Sequence, residues 1–159
     1  MEYGDALRME GGYIIELLTP DGRLLERQHI KNQLTAINRD VRAQMLLGQY
    51  HRDKDALKIK YIAFGTGSTA ATANDTKLVA EVFRKQVTQL VLLSPSEVRT
   101  VVSLGQNEAN VHIREIGVFA GPSAYDQADS GTLLSRVVVD IDKNSNIIVN
   151  VVRTDTCTI

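Results

Sequence analysis

Residues 58–83 read KIKYIAFGTGSTAATANDTKLVAEVF, and the interpretation of this stretch decides the fold. Tyr61, Ile62, Ala63 and Phe64 form a short apolar run of strand character, which breaks at Gly65-Thr66-Gly67-Ser68 into a loop of small residues. Residues 69–75 are nearly all Ala, Thr and Asn, too small to pack a core of their own. Leu78, Val79, Val82 and Phe83 then return the chain to apolar contact, and everything beyond reads as sheet.

Gly65, Gly67 and Ala70 fit G-x-G-x-x-[GA] directly after a strand, the pattern that brings a dinucleotide pyrophosphate against a helix N-terminus. The context fails. Residues 71–75, ATAND, carry no helical apolar period, and the remaining chain lacks the alternation of strand and helix from which a parallel sheet is built. The two glycines are therefore read as serving backbone geometry at a sheet-edge turn. No G-x-x-x-x-G-K-[ST] is present, and no cofactor is expected.

The bulk properties narrow the class. At 159 residues the chain suits one domain, and about two-thirds of the unfolded surface can be buried at this size. Eighteen basic residues face nineteen acidic ones, for a net charge of -1. No global field would draw nucleic acid or an anionic membrane. The single cysteine, Cys157, allows no internal disulfide, which fits synthesis in the cytosol. The acidic N-terminus lacks the apolar core of a signal peptide, and no run reaches the roughly 18 apolar residues of a membrane span. There is no Trp, while Val, Ile, Leu and Thr abound, a composition that favours a pleated sheet.

Working outward, residues 1–12 are expected to form a flexible arm and residues 13–159 a single β-rich domain. Residues 13–30 read as a hairpin around Thr19-Pro20-Asp21-Gly22, a type I turn. Residues 32–47 read as a helix, with Asn32 as N-cap, Gly48 as the left-handed C-cap and Leu34, Ile37, Val41 and Met45 as a stripe facing the core. Sheet follows over residues 58–154. Residues 84–93 read as one strand, residues 98–104 as the next, and residues 111–119 as an alternating strand with Val111, Ile113, Glu115, Gly117 and Phe119 on one face. Gly117 interrupts that face and admits a neighbouring side chain or a bulge. Residues 120–131 form a long polar loop, and a closing hairpin spans residues 132–153. Seven or eight strands with one helix predict a mainly β fold, an antiparallel sandwich or small barrel.

Few constellations carry chemistry. Residues 140–146, DIDKNSN, imitate the start of a calcium loop, but Ser145 stands where Gly is needed and Val151 where a bidentate Glu is needed. His29, His51 and His112 fall in separate segments without metal-ligand spacing, so no metal is expected. No G-x-S-x-G is present, and Cys157, read as part of a terminal tail, has no local base. Arg114 and Glu115 point to opposite faces, and one of them is a candidate for the interior. Arg84 is a possible ionic partner for Glu115, the other reading being two independent surface charges.

The order of these segments resembles the small virion proteins of tailed bacteriophages, found as tail-fibre, baseplate-associated or collar and head-fibre components. The resemblance rests on His29-Ile30-Lys31-Asn32-Gln33-Leu34-Thr35, Tyr61-Ile62-Ala63-Phe64-Gly65-Thr66-Gly67, Asn74-Asp75-Thr76-Lys77-Leu78, Glu81-Val82-Phe83-Arg84-Lys85, Ile113-Arg114-Glu115-Ile116-Gly117-Val118-Phe119 and Gly131-Thr132-Leu133-Leu134-Ser135-Arg136. It implies a non-enzymatic structural role in the virion: a β-rich module that assembles with itself, as a trimer or other symmetric homo-oligomer, and attaches to other tail or virion proteins. No catalytic residues accompany it. The chain stops at Ile159, without the shaft and receptor-binding tip of long fibre proteins, which favours an adaptor, plug or short-fibre role. A binding module for host-surface carbohydrate or receptor is the competing expectation, with Tyr125 and its loop as the contact.

Overall fold

The computed structural model describes residues 8–48 and 55–158. The apolar run that opens the decisive stretch is the strand β3 (Ile59–Gly65). It pairs on one side with β4 (Glu81–Gln86) and on the other with β7 (His112–Ala120), beyond which lies β8 (Thr132–Asp142). The second sheet runs β2 (Leu24–Lys31), β1 (Arg8–Leu18), β9 (Ile148–Thr158), β6 (Glu97–Leu104) and β5 (Gln89–Ser94). Every pairing is antiparallel. With one helix among the described residues, α1 (Ala36–Leu46), this is the mainly β fold that the sequence predicts, in its sandwich form.

The period of two explains the layers. Tyr13, Ile15 and Leu17 are buried in β1 while Ile14 faces out, and Val102, Leu104, Val149 and Val151 continue the same inner face. Ile62, Phe64, Ile116, Val118, Val137, Val139 and Ile141 meet them from the four-stranded sheet. Burying each such side chain contributes about 1.5–3 kcal/mol, so this layer is the main source of cohesion.

Several expectations change where the two sheets exchange chain. Residues 84–93 are not one strand. Val87 donates its N–H to Lys60 of one sheet and Thr88 donates to Val101 of the other, each at 2.9 Å, so the chain crosses between layers at that dipeptide. The closing hairpin is likewise a crossing, because β8 pairs with β7 while β9 lies between β1 and β6. Both crossings follow from the need to give each strand a sheet neighbour and an apolar floor. Nine strands result among the described residues. The portion of the expected arm from Arg8 onward is also strand: Arg8 to Leu18 pair continuously with Thr158 to Ile148. Cys157 therefore sits in β9, with its Sγ against the Met9 sulfur, rather than in a loose tail.

The strict alternation of β7 is broken by an irregularity between Ile113 and Glu115. It keeps Ile113, Ile116 and Val118 in the central core while Glu115, Gly117 and Phe119 turn to the other side. A carboxylate facing the apolar layer would be costly without partners, and the bulge relieves that conflict.

The helix starts later than Asn32. Thr35 is the N-cap, its hydroxyl accepting from Asn38 N–H at 3.4 Å and donating to the Leu133 carbonyl at 2.6 Å. The expected end is present, with Gly48 at φ +66°. The expected stripe is not the docking face. Val41 is buried, but Ile37 and Met45 are 43% and 41% exposed, and Leu34 precedes the helix in a bridge to Ser135. Asn38 is the fully buried helix residue, donating to the Leu134 carbonyl at 3.1 Å. The outer edge of β8 has backbone groups to satisfy, and residues 33–38 satisfy them, so hydrogen bonding sets which side of the helix turns inward.

Candidate functional site

Most of the residues singled out in the sequence converge on the outer face of the four-stranded sheet. Glu115 projects there from β7 and is fully buried. Its carboxylate accepts from three backbone N–H groups, Gly67 at 3.1 Å, Val79 at 3.0 Å and Ala80 at 2.7 Å, and from Arg136 Nε at 2.7 Å. Arg136, from β8, extends the network to Asp75 at 3.0 Å and to the Thr69 carbonyl at 2.9 Å. The loop of residues 66–80 is thus wrapped around one buried ion pair. Asp75 feels partial burial, which raises its pKa, but hydrogen bonds from Thr72 and Arg136 outweigh it and hold the carboxyl below the usual value. Arg136 moves the other way: burial lowers its pKa, and Glu115 with Asp75 raises it above the ordinary value overall.

The fingerprint glycines now have a physical role. A Cβ on Gly65 would lie 2.6 Å from the Ala80 carbonyl oxygen, and one on Gly67 would lie 2.7 Å from Glu115 Oε1. Both glycines let the Glu115 carboxylate reach the loop backbone. The anion cradled there is supplied by the chain itself. Gly117 also behaves as its position in the strand suggests, since Leu78 fills the space a side chain would take, with Cδ2 2.6 Å from the position of a Cβ.

Arg84 does not pair with Glu115. Its partner is Glu81, three residues earlier, with Nη2 to Oε2 at 2.9 Å, and both side chains are 3% exposed. The guanidinium lies 4.4 Å from the Phe119 ring centroid and 5.7 Å from that of Tyr61, and donates to the Tyr125 and Ser130 carbonyls at 2.9 and 3.0 Å. It therefore holds the loop of residues 121–131 as Arg136 holds that of residues 66–80. Between the two loops and the sheet lies a second apolar cluster of Ala63, Leu78, Phe119, Ala124 and Leu133. Tyr125, 59% exposed, projects from the restrained loop, and Arg114 lies exposed on β7.

Arg136, Glu81 and Asp75 are the functional partners that sequence reasoning missed as such. All three lie inside quoted segments, but only the register of β7 against β8 and the path of two loops bring them together. Glu115, saturated with donors and shielded from solvent, serves as a fixed counter-charge. His112 contacts Asp140 at the surface, and His51 lies outside the described residues. Among the described residues no cluster of His, Cys, Asp and Glu has the arrangement of a metal site.

A different feature stands at the sheet edge. In β5 all six residues, QLVLLS, are exposed; Leu90, Val91, Leu92 and Leu93 are 38%, 42%, 68% and 41% exposed. Among the described residues only β6 pairs with this strand, leaving its outer side unpaired. The opposite edge strand, β2, carries Glu26, Arg27, His29 and Lys31, whereas β5 has no charged residue to deter another strand. Neither family models, nor curated proteins, nor solved structures matched the chain.

Proposed function

We propose that the chain is a non-enzymatic structural component of a tailed-phage virion, made in the host cytoplasm, which assembles symmetrically and attaches to neighbouring proteins of the tail fibre, baseplate, collar or head fibre. The observation that carries the assembly reading is β5, an edge strand with four consecutive exposed apolar residues and, among the described residues, no strand on its outer side. An edge of that kind is a template for another chain. The order of sequence segments from the initial hairpin to Arg136 supports the placement in a virion.

Light scattering on the purified chain at two concentrations tests self-assembly. A defined trimer or other closed oligomer at both is the expected result; a monomer at both overturns it. Antibody labelling of purified particles tests the location. A second reading, recognition of host-surface carbohydrate or receptor, is favoured by Tyr125, which Arg84 presents on a restrained loop. Tyr125→Ala would then abolish binding of the protein to host cells without changing its native mass.

A further inference from the structure

Among the described residues the sandwich is closed at one end and open at the other. At the closed end Leu17, Leu104 and Val149 are buried between the sheets. At the other end the inner face of the five-stranded sheet runs on through Val98, Arg153 and Asp155, and a cavity of about 450 Å³ opens beside β5. Its apolar wall includes Leu57, Leu90, Leu92, Val98 and Leu134.

The floor of this cavity is polar. Arg153 is 1% exposed and donates through Nη2 to Asp155 Oδ1 at 2.7 Å, yet its Nε and Nη1 have no hydrogen-bond partner, nor does Asp155 Oδ2. Behind the lining, Thr100 Oγ1, on the residue paired with Arg153 across β6 and β9, and Asn32 Oδ1, on the side chain whose Nδ2 approaches Asp155 at 3.5 Å, are also unsatisfied. Buried polar atoms without partners are costly, and here they gather at one place. Because Arg153 and Asp155 already offset one another in charge, the complement they lack is a group with both an acceptor and a donor. A carboxamide has that character; a simple anion would meet the Asp155 oxygen unfavourably. At the rim Arg42 and Lys58 form no ion pair among the described residues, which favours acidic neighbours.

We propose that this open end receives an extended segment of a neighbouring polypeptide. The segment enters this cavity beside β5 in extended form, rests alternate apolar side chains on Leu57, Leu90 and Leu92, sets an Asn or Gln side chain against Arg153 and Asp155, and directs flanking acidic residues to Arg42 and Lys58. Apolar contact with the cavity wall supplies affinity and the polar floor supplies selectivity. This builds on the assembly reading and names the chemistry of the attached partner.

The test uses a terminally blocked, dye-labelled peptide Glu-Leu-Thr-Asn-Thr-Leu-Glu, in which both Leu and the Asn share one face of an extended chain, titrated into the whole chain and followed by fluorescence anisotropy. Saturable binding is expected, weakened about tenfold or more when the peptide Asn becomes Leu, because the floor then stays unsatisfied. Replacing both Glu by Lys weakens it as well. Leu92→Glu, at an exposed site, abolishes binding while leaving the circular dichroism unchanged. The peptide exchange probes Arg153 without altering the protein, so a misfolded Arg153 variant is not needed. Absence of saturable binding, equal binding of the Leu peptide, or unaltered binding by the Leu92→Glu chain overturns the proposal. So does a homo-oligomer that Leu92→Glu dissociates and the peptide cannot compete with, since β5 would then pair with itself. The native mass is read separately: a monomer that binds the peptide sinks self-assembly alone, and an intact oligomer that ignores the peptide sinks the cleft alone.

Discussion

Glu115 shows how much of the outer face depends on a single side chain. Removing its carboxylate leaves the Arg136 guanidinium and the Gly67, Val79 and Ala80 N–H groups without their acceptor. Breaking one partner of a buried pair costs about 3–5 kcal/mol, well beyond an ordinary surface substitution. Glu115→Ala is therefore expected to lower the unfolding free energy by about that amount in urea titration, and to increase protease cleavage within residues 66–80. An unchanged midpoint would mean that the loop is held by other contacts. The sequence indicates that one of Arg114 and Glu115 faces inward, because adjacent strand residues point opposite ways. It does not indicate which arginine answers Glu115. Arg84 and Arg136 are both near apolar strand residues, and only the pairing of Gly117 with Arg136 across β7 and β8 brings the latter within reach.

At the scale of an element, α1 is held less by an apolar stripe than by the edge of β8. Thr35 caps the helix and bonds the Leu133 carbonyl, while Asn38 reaches Leu134. Thr35→Ala removes the cap and the strand contact together, with an expected cost of about 1–2 kcal/mol and a matching fall in melting temperature. The loss should be no more than a few tenths of that for Thr→Ser, which retains the hydroxyl. Helical periodicity was legible, and so was the glycine that ends it. The facing was not, because periodicity reports where the apolar residues lie on a helix and says nothing of a neighbouring strand with unsatisfied carbonyls. Ile37, Met45, Leu46 and Leu47 remain exposed as a result. The same limit applies to residues 84–93, which read as extended throughout although the chain changes sheets at Val87 and Thr88.

Over the whole molecule, acid sensitivity follows from carboxylates in clamping positions. In Asp75 partial burial raises the pKa, and the bonds from Thr72 and Arg136 lower it further than burial raises it. In Glu108 burial raises it, and Lys85, the Gly105 N–H and Lys143 again bring it below the ordinary value. A lowered folded-state pKa means that the unfolded chain binds more protons through the acid range. Their contribution is thus fully present above the unfolded values near about 4 and is lost as pH falls through the lower folded values. The urea midpoint should accordingly be flat from neutrality down to about pH 5 and drop below about pH 4. Asp75→Asn and Glu108→Gln together should flatten that drop, measured at constant ionic strength. By itself the sequence determined the fold class, the initial hairpin, the end of the helix and the strand character of nearly every sheet segment, because alternation, turn residues and glycine act over a few residues. Tertiary structure alone decided which strands share a sheet, which arginine meets Glu115, which side of the helix is buried and which edge stays unpaired. Those outcomes depend on contacts between residues far apart in the chain, where hydrogen bonds and buried charges must be satisfied by whatever the folded topology brings beside them.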